Sequence, residues 1–204
     1  MPPKDATVPD YIDLPLGRFV DLVASREPAP AGGATAAVAV ALAAALSSMS
    51  ARLSTDRLGE EAPTLAERAE RLRGEVLPLA RADAAAYGRV LEAYQADTDK
   101  EGRRRKIREA LSEAASVPLS IGEIGAEVAE ISARLAKDGN PNLRGDAATA
   151  IELAGAGVRA AAMLVEINVS AGGADEGRLA RARELAARAE ATRHASESAA
   201  ARGL

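Results

Sequence analysis

The chain has 204 residues and a formal net charge of −4, and fifty of its residues are Ala. It has no Cys and one His, His194, which excludes disulfides, thiolate metal sites, Cys nucleophiles and a multi-His centre within one chain. The acidic balance and the four aromatics, Tyr11, Phe19, Tyr87 and Tyr94, do not make the basic surface with stacking platforms of a nucleic-acid binder. Acid–base chemistry is left to Asp, Glu, Lys, Tyr, Asn or bound water.

Ala is the best helix former and a poor strand former. The composition therefore predicts an all-α fold: one multi-helical bundle over residues 1–204, of about six helices, with the long ones kinked. Residues 1–15 read as a Pro-containing arm with no apolar core of the signal-peptide type. Leu16 to Ser25, with Phe19, Val20, Leu22 and Val23, reads as a short helix. Pro28, Pro30 and two glycines then bend the chain.

Ala29 to Ala51 carries no charge over 23 residues. Its length would span a membrane, but its large apolar residues are few and three serines interrupt it. It reads as the buried central helix of a cytoplasmic protein with no membrane partner. Val38, Leu42, Leu46, Met49 and Leu53 form one stripe at helical spacing. The opposite face, Ala37, Ala41, Ala44 and Ser48, is smooth and suits close contact with another helix.

A long helix is predicted from Pro63 to about Ala96, kinked at Pro78. The next starts at the basic run Arg103 to Lys106, which reads as a solvated face or an anion-steering one, and is interrupted by Pro118. Asp138 to Gly145 is a loop. Helices from about Asp146 to Val169 and from Ala174 to about Arg202 complete the chain. The last is laced with Arg and Glu, and Leu179 and Leu185 are its only large apolar residues.

Three places depart from a bland bundle. At Pro30-Ala31-Gly32-Gly33-Ala34-Thr35, unpaired N–H groups at a helix start would attract an anion, and glycine lets a ligand reach the backbone. The same pattern also serves as a plain helix start after a tight turn. At Asn140-Pro141-Asn142-Leu143-Arg144-Gly145-Asp146, Asp146 reads as a helix cap, while the two Asn offer amide donors and acceptors. Polar groups also sit inside apolar helices: Asp83 among alanines with Tyr87 one turn later, and Asn168 near Glu166. Asp83 is either solvated or held in a cleft, where burial would raise its pKa and suit it to proton transfer.

Two of these loops resemble one known family. EPAPAGGATAAVAVALAAALSSMSARLS is similar to the opening of the cyclodeaminase/cyclohydrolase family, a Pro-x-Pro-Gly-Gly-Gly-Ser-type loop leading into an Ala-rich helix that ends in Met-x-x-Arg-Leu. GNPNLRGDAATAIELAGAGVRAAAMLVEINV resembles its second signature, Gly-Asn-x-Asn-x-x-Ser-Asp before a helix ending in Asn-Val-x-Ile-Asn. RADAAAYGRVLEAY and EAASVPLSIGEI resemble its Asp-containing and Pro-interrupted helices, so the likeness runs from about Leu16 to Val169.

The resemblance implies an all-helical homodimer acting on a tetrahydrofolate derivative, with no metal. The activity would be that of a methenyltetrahydrofolate cyclohydrolase or a formimidoyltetrahydrofolate cyclodeaminase. Asp83 is the first candidate for proton transfer and Asp146 the second. Pro30, Gly32, Gly33, Thr35 and Tyr87 are candidate substrate contacts. Asn140, Asn142 and Asn168 are candidates for the pterin edge, and Arg144 or Arg159 for the glutamate tail. Both loops are expected to line one folate-sized cleft. Ala34, Thr35, Gly145, Leu164 and Glu166 stand where the family has Gly, Ser, Ser, Asn and commonly Arg. Those changes keep two alternatives in view: a diverged member passing a folate-bound one-carbon unit to another acceptor, and a non-catalytic helical binding protein.

Overall fold

The computed structural model describes residues 10–173 and 175–202; most of the predicted arm, 1–9, lies outside them. Among the described residues there is no strand. A 3-10 turn at Tyr11–Asp13 leads to α1 (Leu16–Val23), α2 (Gly32–Arg52), α3 (Thr55–Leu58), α4 (Glu61–Val76), α5 (Leu79–Tyr94), α6 (Lys100–Ala114), α7 (Ser116–Asp138), a 3-10 turn at Pro141–Leu143, α8 (Arg144–Gly172) and α9 (Glu176–Arg202).

Both predicted kinks are present, and each divides the long helix into two segments while the linking residues keep helical backbone angles. α4 stops at Val76 and α5 restarts at Leu79, with Pro78 between them. Pro78 has no N–H to continue the ladder, and its ring crowds the carbonyl one turn back. Pro118 lies in the first turn of α7, just beyond the break at Ala115. That is a position where a missing N–H costs nothing.

α2 is the central helix and packs against α4, α5, α7 and α8. Its small-residue face is the buried one: Ala34, Ala37, Val40, Ala43, Ala44, Ser47 and Ala51 are shut from solvent. Ser47 and Ser132 of α7 share a buried hydroxyl–hydroxyl hydrogen bond of 2.8 Å, which fixes the register of the two helices. α2 and α8, part of a segment Pro141–Gly172, are long and apolar enough to cross a membrane by length and composition.

The interior works because α2, α7 and α8 nearly touch. A Cβ on Gly157 of α8 would lie 2.5 Å from Cγ2 of Val40 and 3.3 Å from the Ala36 carbonyl oxygen. A Cβ on Gly125 of α7 would lie 2.7 Å from Cγ2 of Val158 and 3.1 Å from that of Val40. Val40 is thus clamped between two glycines on two helices. The same contacts show that α8 runs antiparallel to α2: Leu164 sits over Gly32, Gly157 over Ala36 and Val40, and Asn140 reaches Leu53.

Ion pairs between helices run along the outside. Arg134 of α7 holds Glu61 of α4 at 2.8 Å, and Arg68 of α4 holds Glu127 of α7 at 2.5 Å. α9 is tied to α7 by Arg181–Glu123 and Arg188–Glu130, and to α8 by Arg183–Glu166 and Arg159–Glu190.

A paired substitution checks the helix contact. Gly157→Ala gains about 1 kcal/mol of helix propensity but drives a methyl into Val40, whose β-branched side chain is stiff at χ1. Overpacking of that kind costs about 1–3 kcal/mol, so the expected result is a net loss in urea unfolding. Gly74→Ala in α4, where a Cβ meets nothing within 4 Å, should instead stabilise by up to about 1 kcal/mol.

Candidate active site

The first turn of α2 has no side-chain cap of its own. Ala31 is the N-cap, in extended backbone, and offers no acceptor to the free N–H groups behind it. The acceptor comes from α5: the Ala34 backbone N–H donates to the carboxylate of Asp83. A Cβ on Gly33 would overlap that carboxylate, so only glycine permits the approach. The glycine loop and the carboxylate among alanines, read separately in the sequence, are one site.

Two effects compete for the Asp83 proton. The Ala34 N–H and the positive end of α2 favour the anion. Loss of solvent opposes it and is the larger effect, so the carboxyl is raised above the ordinary Asp range. A raised, half-buried carboxylate beside an accessible backbone is the arrangement of a proton-transfer group.

Around it lie several of the predicted residues. Gly32 is exposed and Pro30 is buried. The hydroxyl of Thr35 donates to the Ala31 carbonyl at 3.0 Å, which engages its proton inside the helix. Tyr87, one turn beyond Asp83, is exposed. Leu164 brings its methyl groups to 4.0 Å from a Cβ built on Gly32, and Asn168 follows one turn later on α8. The half-buried Leu164 thus puts an apolar side chain beside the glycine loop, where the family pattern has an amide.

The Asn-bearing loop lies elsewhere in the same chain. Asn140 donates from Nδ2 to the Leu53 carbonyl (3.0 Å) and accepts from the Asn142 N–H (3.0 Å), while its own N–H donates to Ser54 Oγ (2.9 Å). Its amide is therefore used to fasten the loop to the C-terminal end of α2. Asn142 and Arg144 are exposed. Asp146 lies in the first turn of α8 rather than at its cap; Leu143 is the N-cap and makes no side-chain bond. From Gly33 to Leu53 is twenty residues of helix, about 30 Å at 1.5 Å per residue. Within one chain the two loops therefore lie at opposite ends of α2, and a cleft lined by both would take two chains. Arg159 belongs to neither end; it faces α9 and pairs with Glu190 at 3.4 Å.

A groove of about 450 Å³ opens at the Asn-loop end between α7, α8 and α9, with Lys137 and Arg144 on its wall and Ala133, Ala136, Ala148 and Ala195 along it. At the Asp83 end one neighbour escapes the motif reading, namely Tyr11. Its phenol is raised first by burial and then by the Asp83 charge. Its edge-on packing against Phe19, with centroids 6.0 Å apart, holds it there. The scarcity of aromatics was the one signal in the sequence that could have drawn attention to it.

Comparison with known proteins identifies the family. The family model described as formiminotransferase-cyclodeaminase matches residues 15–200. The chain is 35% identical over 159 residues to a methenyltetrahydrofolate cyclohydrolase from Methylorubrum extorquens, a match covering 74% of this chain and 76% of that one. It is 31% identical over 176 residues to the formimidoyltransferase-cyclodeaminase of Mus musculus, covering 82% of this chain but only 32% of that longer protein. The solved formiminotetrahydrofolate cyclodeaminase from Thermotoga maritima superposes with a TM-score of 0.82 at 28% identity, over 92% of this chain and 96% of its own. On the extent of the family match, the identity to its relatives and the fold, the chain belongs to the formiminotransferase-cyclodeaminase family.

Proposed function

We propose that the chain is a folate-dependent one-carbon enzyme, a methenyltetrahydrofolate cyclohydrolase, and that the observation carrying this is the Asp83 carboxylate held against Gly33 and the Ala34 N–H. Methenyltetrahydrofolate is an amidinium cation with one carbon bridging N5 and N10. A carboxylate beside that carbon stabilises the cation and takes a proton as water adds. The C–O bond forms to give a neutral carbinolamine, Asp83 then gives its proton to the departing ring nitrogen, the C–N bond breaks, the proton left on the hydroxyl passes to solvent, and a formyl group remains. The raised affinity of Asp83 for its proton suits both halves of that exchange. The 35% identity to a cyclohydrolase supports the reading.

The likeness to a solved cyclodeaminase favours a second reading at the same site. There N10 would attack a formimidoyl carbon and Asp83 would pass the N10 proton to the leaving ammonia. The two are separated by the direction of an absorbance change. A cyclohydrolase consumes the methenyl chromophore, and a cyclodeaminase generates it from the formimidoyl compound and releases ammonia.

We also propose that the working unit is a homodimer paired through the exposed stripe of α2. Leu42 is 51% exposed and Leu53 57%, at the middle and the far end of that helix, although both are large and apolar. A two-fold axis near Leu42 would run two α2 helices antiparallel. Each Asn140–Asp146 loop, with Asn142 and Arg144 free to contact substrate, would then lie beside the partner's glycine loop. This supports one shared cleft built from two chains.

Three outcomes follow. Asp83→Asn, which keeps the shape and removes the basicity, should lower the rate on methenyltetrahydrofolate by about 10² to 10⁴ while a folate analogue still binds. Equal turnover by the variant and the wild type would remove Asp83 from the mechanism and move attention to Asp146.

The raised pKa also sets a sign. A carboxyl that holds its proton more tightly when folded destabilises the fold as pH rises from the unfolded pKa through the folded one. Asp83→Asn should therefore melt higher than the wild type at neutral pH, with the gap closing as pH falls. A lower melting temperature at pH 7 would contradict this.

Leu42→Arg would set like charges face to face at the axis. It should give a one-chain sedimentation mass and loss of turnover. A monomeric variant with full activity would refute the shared cleft.

A further inference from the structure

α5 outruns the helix it packs on. α4 and α5 pass α2 in the antiparallel sense: Glu70 pairs with Arg52 at 3.5 Å, and further along Asp83 meets Gly33 in the first turn of α2. From there α5 continues to Tyr94, past the end of α2. Before that end its inner side is covered, with Ala80 and Ala84 in the core that holds α2. Past it, the same side carries Tyr87, Leu91 and Tyr94, all within about 80° of Asp83 around the axis at 3.6 residues per turn. Tyr87 is 44% exposed and Tyr94 55%. The neighbouring side is occupied, because Ala86 and Val90 pack on Leu111 and Ala114 of α6. Two of the four aromatic rings of the chain therefore project from an overhang that begins at Asp83.

α6 brings positive charge to the same side of this hairpin. The end of α8 lies against it, with Arg108 Cδ 3.9 Å from a Cβ built on Gly173, and Arg104 precedes Arg108 by one turn on that face. Residues 97–108 hold six cationic side chains against three acidic ones, Asp97, Asp99 and Glu101. Asp99 is spent on the α6 cap, where it accepts from the Gly102 N–H, and Arg105 pairs with Glu109 at 4.0 Å. Among the described residues Arg104 has no ion-pair partner within 4 Å.

We infer that this overhang holds the aminobenzoyl-glutamyl arm of the substrate, its ring against Tyr87 and Tyr94 and its carboxylates toward Arg104. The inference rests on the folate reading above. The arm leaves N10, one of the two nitrogens joined by the carbon that Asp83 serves, so it starts where the overhang starts. It then runs as a flat ring, an amide and two carboxylates. The hairpin offers in the same order a ring, an apolar side chain, a second ring and a cation. Tyr94 stands about 16 Å along the axis from Asp83, and a helical side chain covers the turn before its own Cα. Aromatic rings attract in offset or edge-on contact, and a guanidinium matches a carboxylate with paired N–H donors. Proton transfer stays with Asp83; the overhang aligns the arm.

The test is Tyr94→Ala, which should raise KM on methenyltetrahydrofolate roughly tenfold, as loss of one aromatic stacking contact does, with kcat within about twofold. Tyr94→Phe should restore the wild-type KM. The position is exposed and Ala is the better helix former, so both variants keep the fold. A wild-type KM for Tyr94→Ala overturns the inference and leaves the folate reading standing. A wild type that neither turns over nor binds tetrahydrofolate overturns both. A sedimentation mass that falls with Tyr94→Ala would make this face an interface between copies, which also overturns the inference.

A second measurement needs no turnover. The chain has three tyrosines and no tryptophan, so tyrosine-labelled protein gives three ring spectra in solution NMR. With tetrahydrofolate bound, Overhauser contacts from the aminobenzoyl protons should reach two of those rings, and Tyr94→Phe should remove one. Contacts from the pterin protons alone, or none, would overturn the placement of the arm.

Discussion

Everything in this molecule depends on how closely α2, α7 and α8 approach one another. Val40 fits between Gly125 and Gly157 with no room for a methyl on either, and the surrounding wall is Ala. An Ala core removes less apolar area from water per residue than a Leu core, at roughly 25 cal/mol per Å². It compensates on the other side: burying Ala costs no side-chain entropy, whereas burying Leu costs about 0.5–1 kcal/mol. Close helix axes also multiply dispersion contacts between backbones. The active site inherits the same device, because Asp83 reaches the first turn of α2 only across a glycine.

That arrangement explains why a charge is tolerated inside an apolar bundle. The carboxylate caps a helix that has no cap of its own, so one interaction serves both partners. Desolvation still outweighs that gain, and the site retains a standing electrostatic cost. A cationic substrate beside Asp83 would relieve it, which would tie affinity for an amidinium to the residue proposed to move the proton. Leu164 against Gly32 makes this end more apolar than the family pattern and sharpens the desolvation.

The fold class was legible because Ala content and 3.6-residue spacing point one way. Asp83 was legible as the one carboxylate among the alanines of its helix. Its partner was not: Gly33 lies fifty residues earlier in the sequence, and no periodicity links a glycine to a distant Asp. The separation of the two loops within one chain was implicit in the length of α2, but their likeness to two signatures of one family carries no distance between them. Asn140 shows the same limit. Its residue type suits a pterin edge, but its hydrogen bonds to Leu53 and Asn142 depend on a contact with the far end of α2. Tyr11 lies outside the matched motifs, and its burial against Phe19 comes only with folding of the arm.

α9 is joined to the rest differently from every other long helix. Its buried residues are Ala182, Leu185 and Ala189, with Leu179 half-buried beside Ala182, and four ion pairs to α7 and α8 and an Arg178 hydrogen bond to the Ser112 carbonyl add to the hold. Exposed ion pairs contribute little each and weaken with ionic strength. The bundle is therefore layered in its cooperativity: α2, α4, α7 and α8 open only with the whole domain, while α9 can detach as a separate foldon. Its amides will exchange with deuterated solvent ahead of those of α2, and the order will widen as salt is added.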